Sequence, residues 1–77
     1  MFHYVNLDMG LIKNIDQNPS TQALVRSTIN YCHENQLMVI AEGIETQAEY
    51  DTLKALGADF MQGFFLAKPA FLLYNKL

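Results

Sequence analysis

The sequence is poor in cysteine, in basic residues and in long apolar runs. Cys32 is the only cysteine, so no internal disulfide can form, and a single thiol fits a reducing cytoplasm. Five Lys and Arg against eight Asp and Glu give a net charge of −3, which argues against a DNA or RNA polymer as the partner. No stretch approaches the roughly 18–20 apolar residues of a membrane segment, and no signal peptide is recognisable.

Apolar residues are abundant nonetheless. They make up 51% of the 77 residues, whereas charged residues make up 17%, a balance typical of a packed chain and not of a disordered one. A chain of this length forms one small domain at most and buries only about 60% of its unfolded surface. Domains of this size commonly depend on a metal, a disulfide or a partner chain. The sequence also enters a strand-like pattern almost at once, from which we expect an upstream part to be missing.

The order of apolar and polar residues predicts alternating strands and helices. Alternation with period 2 or short apolar runs indicate strands, and apolar residues at helical spacing indicate helices. In chain order the predicted elements are strand 2–7, loop 14–20, helix 21–35, strand 37–41, helix 47–56 and strand 59–66. Strand 37–41 (LMVIA) is continuously apolar, so we expect it to be buried on both faces and to end at Glu42–Gly43. After Pro69 we expect only a weak turn or helix. Helical crossovers of this length imply parallel strands, in a (β/α) barrel or a doubly wound sheet.

Several residues are suited to end or begin the helices. Asn18 or Ser20 can cap the first helix, and Asn18 would place Pro19 at the first helical position. Thr46 and Glu49 form a capping box, in which each side chain satisfies the other's backbone amide. Gly57 stands where a left-handed C-terminal cap is expected.

Polar residues occur where the three strands end. The first strand ends with Asn6 and Asp8, the second with Glu42 and the third with Gln62. By alternation, the face that carries them is apolar earlier in each strand and polar at the carboxyl end, where barrel enzymes place their chemistry. Structural roles are also open: Glu42 could accept loop amides, Asp8 could cap the next turn, and Asn6 and Gln62 could be ordinary rim residues.

Three segments carry a family resemblance. Residues 41–46 (AEGIET) resemble the A-E-G-V-E-T signature of EAL-domain phosphodiesterases, which hydrolyse cyclic di-GMP. Residues 62–69 (QGFFLAKP) resemble the ending Q-G-Y/F-x-x-x-[KR]-P. Residues 5–16 (VNLDMGLIKNID) resemble the family segment I-K-I-D-x-x-[FL]-[VI]-x-x-[IL]-D. The resemblance implies that residues 1–77 are the C-terminal portion of an EAL domain, the last three strand–helix units of a TIM-like (β/α) barrel.

The resemblance also implies roles for individual residues. In the family, Mg²⁺ or Mn²⁺ at the barrel rim activates water for attack on one phosphodiester, which gives the linear dinucleotide. Glu42 then matches the glutamate that acts as a base or orients water, and Gln62 matches a glutamine near metal and substrate. Asp8 matches the aspartate of the K-x-D motif, close to the metal, and Phe64 and Pro69 match positions near the nucleobase pocket.

Two departures from the family bear on activity. The E-A-L motif, the D-D-F-G loop and the other metal ligands of the family have no counterpart in these residues, so we expect this chain to bind no metal by itself and to be inactive alone. The lysine of K-x-D is replaced by Asn6, which can donate a hydrogen bond but carries no charge. We therefore expect weak activity or none even in a complete barrel that carries Asn6.

Three functional interpretations follow. The chain is part of a metal-dependent cyclic di-GMP phosphodiesterase; or it belongs to a degenerate barrel that binds the dinucleotide or a protein without hydrolysis; or it is a remnant without a function of its own. Exposed sheet edges invite pairing with another chain, so we expect the free chain to self-associate or to fold poorly.

Overall fold

Strands and helices alternate along the chain in a computed structural model, which describes residues 3–63 and the backbone of residues 72–73. The elements are β1 (His3–Leu7), α1 (Met9–Ile12), a 3-10 turn (Ile15–Gln17), α2 (Pro19–Glu34), β2 (Leu37–Ile44), α3 (Gln47–Leu56), β3 (Phe60–Gly63) and β4 (Leu72–Leu73). Phe64 and Pro69 lie outside the described residues. Within the described part of the chain, no helix is long and apolar enough to cross a membrane.

The strands form one sheet in the order β1-β2-β3-β4. β1 pairs parallel with β2, and β2 pairs parallel with β3, which confirms the predicted parallel strands joined by helical crossovers. β4 pairs antiparallel with β3, Phe60 lying opposite Leu73 and Met61 opposite Leu72. The prediction of a weak turn or helix after Pro69 is therefore wrong at these two residues, which satisfy backbone groups that the edge of β3 would otherwise leave unpaired.

One face of the sheet packs against the helices. Its side chains are fully buried in the middle of the sheet, as at Val39 and Ala41, and pack with buried residues of the helices such as Ile29 and Leu53. Burial of this face is the main stabilising contribution, at about 25 cal/mol per Å² of apolar surface.

The opposite face, here called the inner face, is only partly covered. Met38 and Ile40 are half-buried, and Tyr4 is 52% exposed. The rings of Tyr4 and Phe60 meet edge to face above β2, with their centroids 5.5 Å apart, which places both on this face. The prediction that strand 37–41 is buried on both faces is thus wrong, because the described helices cover only the face that holds Val39 and Ala41.

β2 is longer than its sequence indicated. It was expected to end at Glu42–Gly43 but continues to Ile44. Its pairing with β3 is interrupted between Ala41 and Ile44 and resumes where Ile44 lies opposite Gly63. Gly43 adopts a φ of +78°, a conformation that side chains disfavour, and so allows the strand to continue through the irregularity.

The helix ends follow the predicted chemistry. Asn18 caps α2 by accepting from the Thr21 N–H (3.1 Å), with Pro19 in the first turn, so α2 begins two residues earlier than the pattern 21–35 predicted. The predicted loop 14–20 contains the 3-10 turn. α3 ends at Gly57, whose φ is +105°, and the Ala58 N–H donates back to the Leu53 carbonyl, which confirms the left-handed cap.

Candidate functional site

The sheet register aligns the polar residues at the strand ends. Leu7 pairs with Ala41, and Ala41 pairs with Met61. The next residue of each strand is Asp8, Glu42 and Gln62, in the same order. These three residues therefore occupy neighbouring positions at the carboxyl ends of three parallel strands, a place here called the rim.

Glu42 and Gln62 are half-buried at the rim. Neither side chain makes a hydrogen bond or an ion pair to another residue of the described part of the chain, so the alternative that Glu42 accepts loop amides finds no support there. Among the described residues, no fully buried side-chain nitrogen or oxygen lacks a hydrogen-bond partner. Among the described residues, the carboxylate of Glu42 and the amide of Gln62 therefore have no polar partner and keep some exposure.

Asp8 has a structural role in addition to its place at the rim. It is the N-cap of α1, and its Oδ2 accepts from the Gly10 N–H at 2.9 Å. This confirms that it caps the following turn. Since a carboxylate has two oxygens, the cap leaves one of them without this bond.

Asn6 lies one rung below the rim, in register with Ile40 of β2, and its side chain is exposed. By strand alternation it shares the inner face with Tyr4. An uncharged amide thus stands where the family resemblance would place a lysine.

Glu49 was identified from the sequence only as a capping residue, yet it links three segments. It is 2% exposed, and its N–H donates to Thr46 Oγ1 (3.1 Å), as the capping box predicts. Its carboxylate accepts from Glu45 N–H (2.9 Å) rather than from Thr46 N–H, and from Asn14 N–H (2.8 Å). The prediction that the Glu49 side chain accepts from the Thr46 N–H is therefore wrong. One of its oxygens accepts from Glu45, the residue before the cap, and the other accepts from Asn14, in the segment after β1.

A second buried carboxylate lies at the opposite ends of the strands. Asp59 is 1% exposed, and its Oδ2 accepts from the Val39 N–H at 2.8 Å and contacts His33 Nε2 at 2.7 Å. Sequence patterns did not single it out, because an Asp before a strand usually reads as turn chemistry. The pKa of the nearby Cys32 thiol is raised, mainly by burial and to a smaller extent by the charge of Asp59.

The described residues do not by themselves fit a divalent metal ion. They contain no group of three or more His, Cys, Asp or Glu side chains placed to hold one. Mg²⁺ requires near-octahedral oxygen ligands, of which Asp8 and Glu42 can supply only a part. A metal at this rim would need further ligands from residues outside those described.

Comparisons with known proteins by family model, by sequence and by structure all identify the same family. The family model described as "EAL domain" matches residues 1–69. The cyclic di-GMP phosphodiesterase PdeR of Escherichia coli is 37% identical over 65 residues, which are 84% of this chain and 10% of PdeR.

Solved structures agree in fold. A standalone EAL protein from Vibrio cholerae O395, in its cyclic di-GMP-bound form, superposes with a TM-score of 0.81 at 38% identity, over 90% of this chain and 29% of that protein. A calcium and cyclic di-GMP complex of Klebsiella pneumoniae BlrP1 gives a TM-score of 0.81 at 31% identity, over 88% of this chain and 17% of that protein.

The chain thus spans a tenth to less than a third of the length of these proteins. The match nevertheless runs through all three parallel strands and through both segments that bring Glu42 and Gln62 to the rim. On this evidence the chain belongs to the EAL domain family.

Proposed function

We propose that residues 1–77 form the C-terminal portion of a cyclic di-GMP phosphodiesterase domain. The observation that carries this proposal is the position of Asp8, Glu42 and Gln62 at the carboxyl ends of three adjacent parallel strands, with the Glu42 and Gln62 side chains unpaired within the described residues. The similarity to E. coli PdeR, a cyclic di-GMP phosphodiesterase, supports the substrate.

Each rim residue has a chemical task in this proposal. Glu42 orients or deprotonates the attacking water, since an unpaired carboxylate is a suitable base. Gln62 contributes an amide that can donate to a phosphate oxygen. Asp8 lies beside them, and Phe64 and Pro69 contact a nucleobase. Mg²⁺ or Mn²⁺ would supply charge neutralisation, with its remaining ligands from outside these residues, so the chain alone is inactive.

Asn6 favours a second candidate, a domain that binds cyclic di-GMP or a protein without hydrolysing it. Its exposed amide on the inner face has no positive charge to offer a phosphate or an attacking water. Loss of one charge-stabilising group costs on the order of 10²–10³ in rate, whereas binding depends on many contacts.

A transplant experiment separates the two candidates. Residues 1–69 replace the matching segment of the V. cholerae standalone protein, which supplies the rest of the barrel. We expect the chimera to bind cyclic di-GMP and to hydrolyse it slowly, and Asn6→Lys to raise the rate by roughly 10²-fold or more. Glu42→Gln in the Asn6→Lys background should abolish turnover.

Asn35→Lys is the matched control, because it adds the same charge at the exposed end of α2, beside the amino ends of the strands. It should leave the rate unchanged. A folded Asn6→Lys chimera without hydrolysis would contradict the phosphodiesterase proposal. Hydrolysis by the Asn6 chimera as fast as by its lysine variant would contradict the binding-only alternative.

Self-association and a cytoplasmic location complete the proposal. The partly open inner face, with Tyr4 52% exposed, and the outer edge of β1 support pairing with another chain. The reduced thiol of Cys32 supports the cytoplasm. Analytical ultracentrifugation should show species heavier than a monomer; a stable, compact monomer would contradict self-association.

A further inference from the structure

The carboxylate of Glu49 joins two segments that leave the rim. Its Oε2 accepts from Asn14 N–H at 2.8 Å, and its Oε1 accepts from Glu45 N–H at 2.9 Å. Asn14 follows α1, the helix that Asp8 caps, and Glu45 follows β2, the strand that carries Glu42. One buried side chain thus bonds to both segments.

Strand pairing alone does not fix the direction of Glu42. The register of β2 with β3 is lost between Ala41 and Ile44, and Gly43 has a φ of +78° in this interval. Glu42 lies inside the irregular stretch. Before Glu42 the strand is held by the pairing of Ala41 with Met61. After it the strand is held by the pairing of Ile44 with Gly63 and by the hydrogen bond from the Glu45 N–H to Glu49.

Asn14 makes two hydrogen bonds through its backbone: its carbonyl accepts from the Gln17 N–H at 2.9 Å, and its N–H donates to Glu49 at 2.8 Å. It adopts a left-handed conformation with a φ of 57°, between α1 and the 3-10 turn. Its N–H donates to the carboxylate of Glu49 in a part-buried hydrogen bond, and a bond to a charged acceptor is stronger than one to a neutral acceptor. The carboxylate of Glu49 is therefore the group that holds this turn against the start of α3.

We infer that Glu49 is a positioning residue, which ties the segment after β1 to the segment after β2 and so sets the placement of Glu42 relative to Asp8. A carboxylate suits this task because both of its oxygens accept hydrogen bonds, and charged acceptors bind N–H groups more strongly than neutral ones. The importance of this placement rests on the proposed function at the rim. The two hydrogen bonds through which Glu49 connects the segments do not depend on that proposal.

The test compares Glu49→Gln with Asp59→Asn in the full 77-residue chain. Both changes replace a buried, hydrogen-bonded carboxylate by an amide of equal size, one near the rim and one at the opposite ends of the strands. The NH₂ group that Glu49→Gln introduces cannot accept a hydrogen bond, so one of the two N–H groups loses its partner. Amide hydrogen exchange is measured by NMR.

We expect Glu49→Gln to speed exchange at Asn14 or Glu45 by roughly fivefold or more and to shift the Glu42 and Gly43 amide resonances. Asp59→Asn should affect Val39 and leave those four amides unchanged. Unchanged exchange at Asn14 and Glu45 in Glu49→Gln, or the same changes in Asp59→Asn, would overturn the inference. Glu49→Asp, which keeps both oxygens on a shorter side chain, serves the same comparison if the glutamine variant does not fold.

A titration with cyclic di-GMP and Mg²⁺ distinguishes this inference from the proposed function. If the unaltered chain binds, Glu49→Gln should weaken binding by roughly tenfold and Asp59→Asn by less than twofold; equal weakening would reduce Glu49 to a purely structural role. If the unaltered chain does not bind, the exchange measurement still decides whether Glu49 ties the two segments.

Discussion

His33 Nε2 lies 2.7 Å from Oδ2 of Asp59, so the last turn of α2 is bonded to the residue that precedes β3. The same oxygen accepts from the Val39 N–H in β2, and the Asp59 N–H donates to the Val39 carbonyl at 2.9 Å. Asp59 thereby connects a helix and two strands at the amino ends of the sheet, remote from the rim.

Removal of Asp59 should be costly and removal of His33 mild. Asp59→Ala leaves a buried N–H of Val39 without its acceptor, a loss of about 1–3 kcal/mol. The His33 side chain is 39% exposed, so water replaces much of what His33→Ala removes, and we expect less than about 1 kcal/mol. Urea denaturation of the two variants measures the difference. Equal destabilisation would show that the Val39 bond contributes little.

Two leucines offer a matched test of the core. Leu53 of α3 is fully buried in the core, and Leu24 is 54% exposed on α2. Leu53→Ala should lower the free energy of unfolding by about 2–5 kcal/mol, because it removes buried methyl groups and leaves a cavity. Leu24→Ala should change it by less than about 0.5 kcal/mol. Thermal and urea denaturation report both; a small effect at Leu53 would contradict the described core.

Gly63 should not tolerate a side chain. A Cβ at this position would overlap the carbonyl oxygen of Ile44, with the Ile44 Cβ 2.8 Å away, and a backbone group cannot turn aside as a side chain can. We expect Gly63→Ala to destabilise the chain by about 1–3 kcal/mol or more.

Gly10→Ala is the control for this change, since the added Cβ would meet Oδ2 of Asp8 at 2.8 Å, a side-chain atom that can shift at the cost of weakening its cap bond to the Gly10 N–H. We expect its effect on the unfolding free energy to be the smaller of the two. A Gly63→Ala variant as stable as Gly10→Ala would argue against the close pairing of β2 with β3 at Ile44.

The free energy of unfolding should decrease at high pH because the buried thiol of Cys32 resists ionisation in the folded chain. Burial, and secondarily the charge of Asp59, raises the pKa of this thiol above its ordinary value of 9.0. The unfolded chain therefore loses the thiol proton first, so the contribution is fully present below pH 9.0 and is lost as pH rises through the folded-state pKa. Urea denaturation between about pH 8 and 10.5 should show this loss.

Cys32→Ala isolates the effect, because every other ionisable group of the chain is left in place. The difference in stability between the two proteins should depend on pH in the direction given above. Alkylation of the folded chain should also need a higher pH than alkylation in urea. A difference that does not vary with pH would show that burial does not restrict ionisation of Cys32.

Local patterns predicted most of the fold. Parallel strands joined by helices, the Asn18 and Thr46 caps and the left-handed Gly57 all follow from rules that involve residues close in sequence. The failures involve distant partners. The end of β2 was misplaced because Gly43 usually breaks a strand, whereas pairing with Gly63 carries this one onward.

The placement of the candidate residues at the strand ends was predicted for the same reason, and their roles stay predictions. Asp8, Glu42 and Gln62 were found because strand ends are recognisable from alternation, and parallel pairing aligns them. The dual bonding of Glu49 depends on Asn14, 35 residues away along the chain, and no local pattern encodes such a contact. The bonding of Asp59 was not predicted for the same reason, since its partners His33 and Val39 lie in other elements.

The two crossovers differ in length, and this difference has a consequence for the order of folding. The β2–β3 connection contains only α3, whereas the β1–β2 connection contains α1, the 3-10 turn and all of α2. Closing a longer loop costs more entropy, about 0.6 kcal/mol for each doubling, before any strand contact repays it. The β2–α3–β3 unit should accordingly dock first and present a template on which β1, and with it Asn6 and Asp8, is added last.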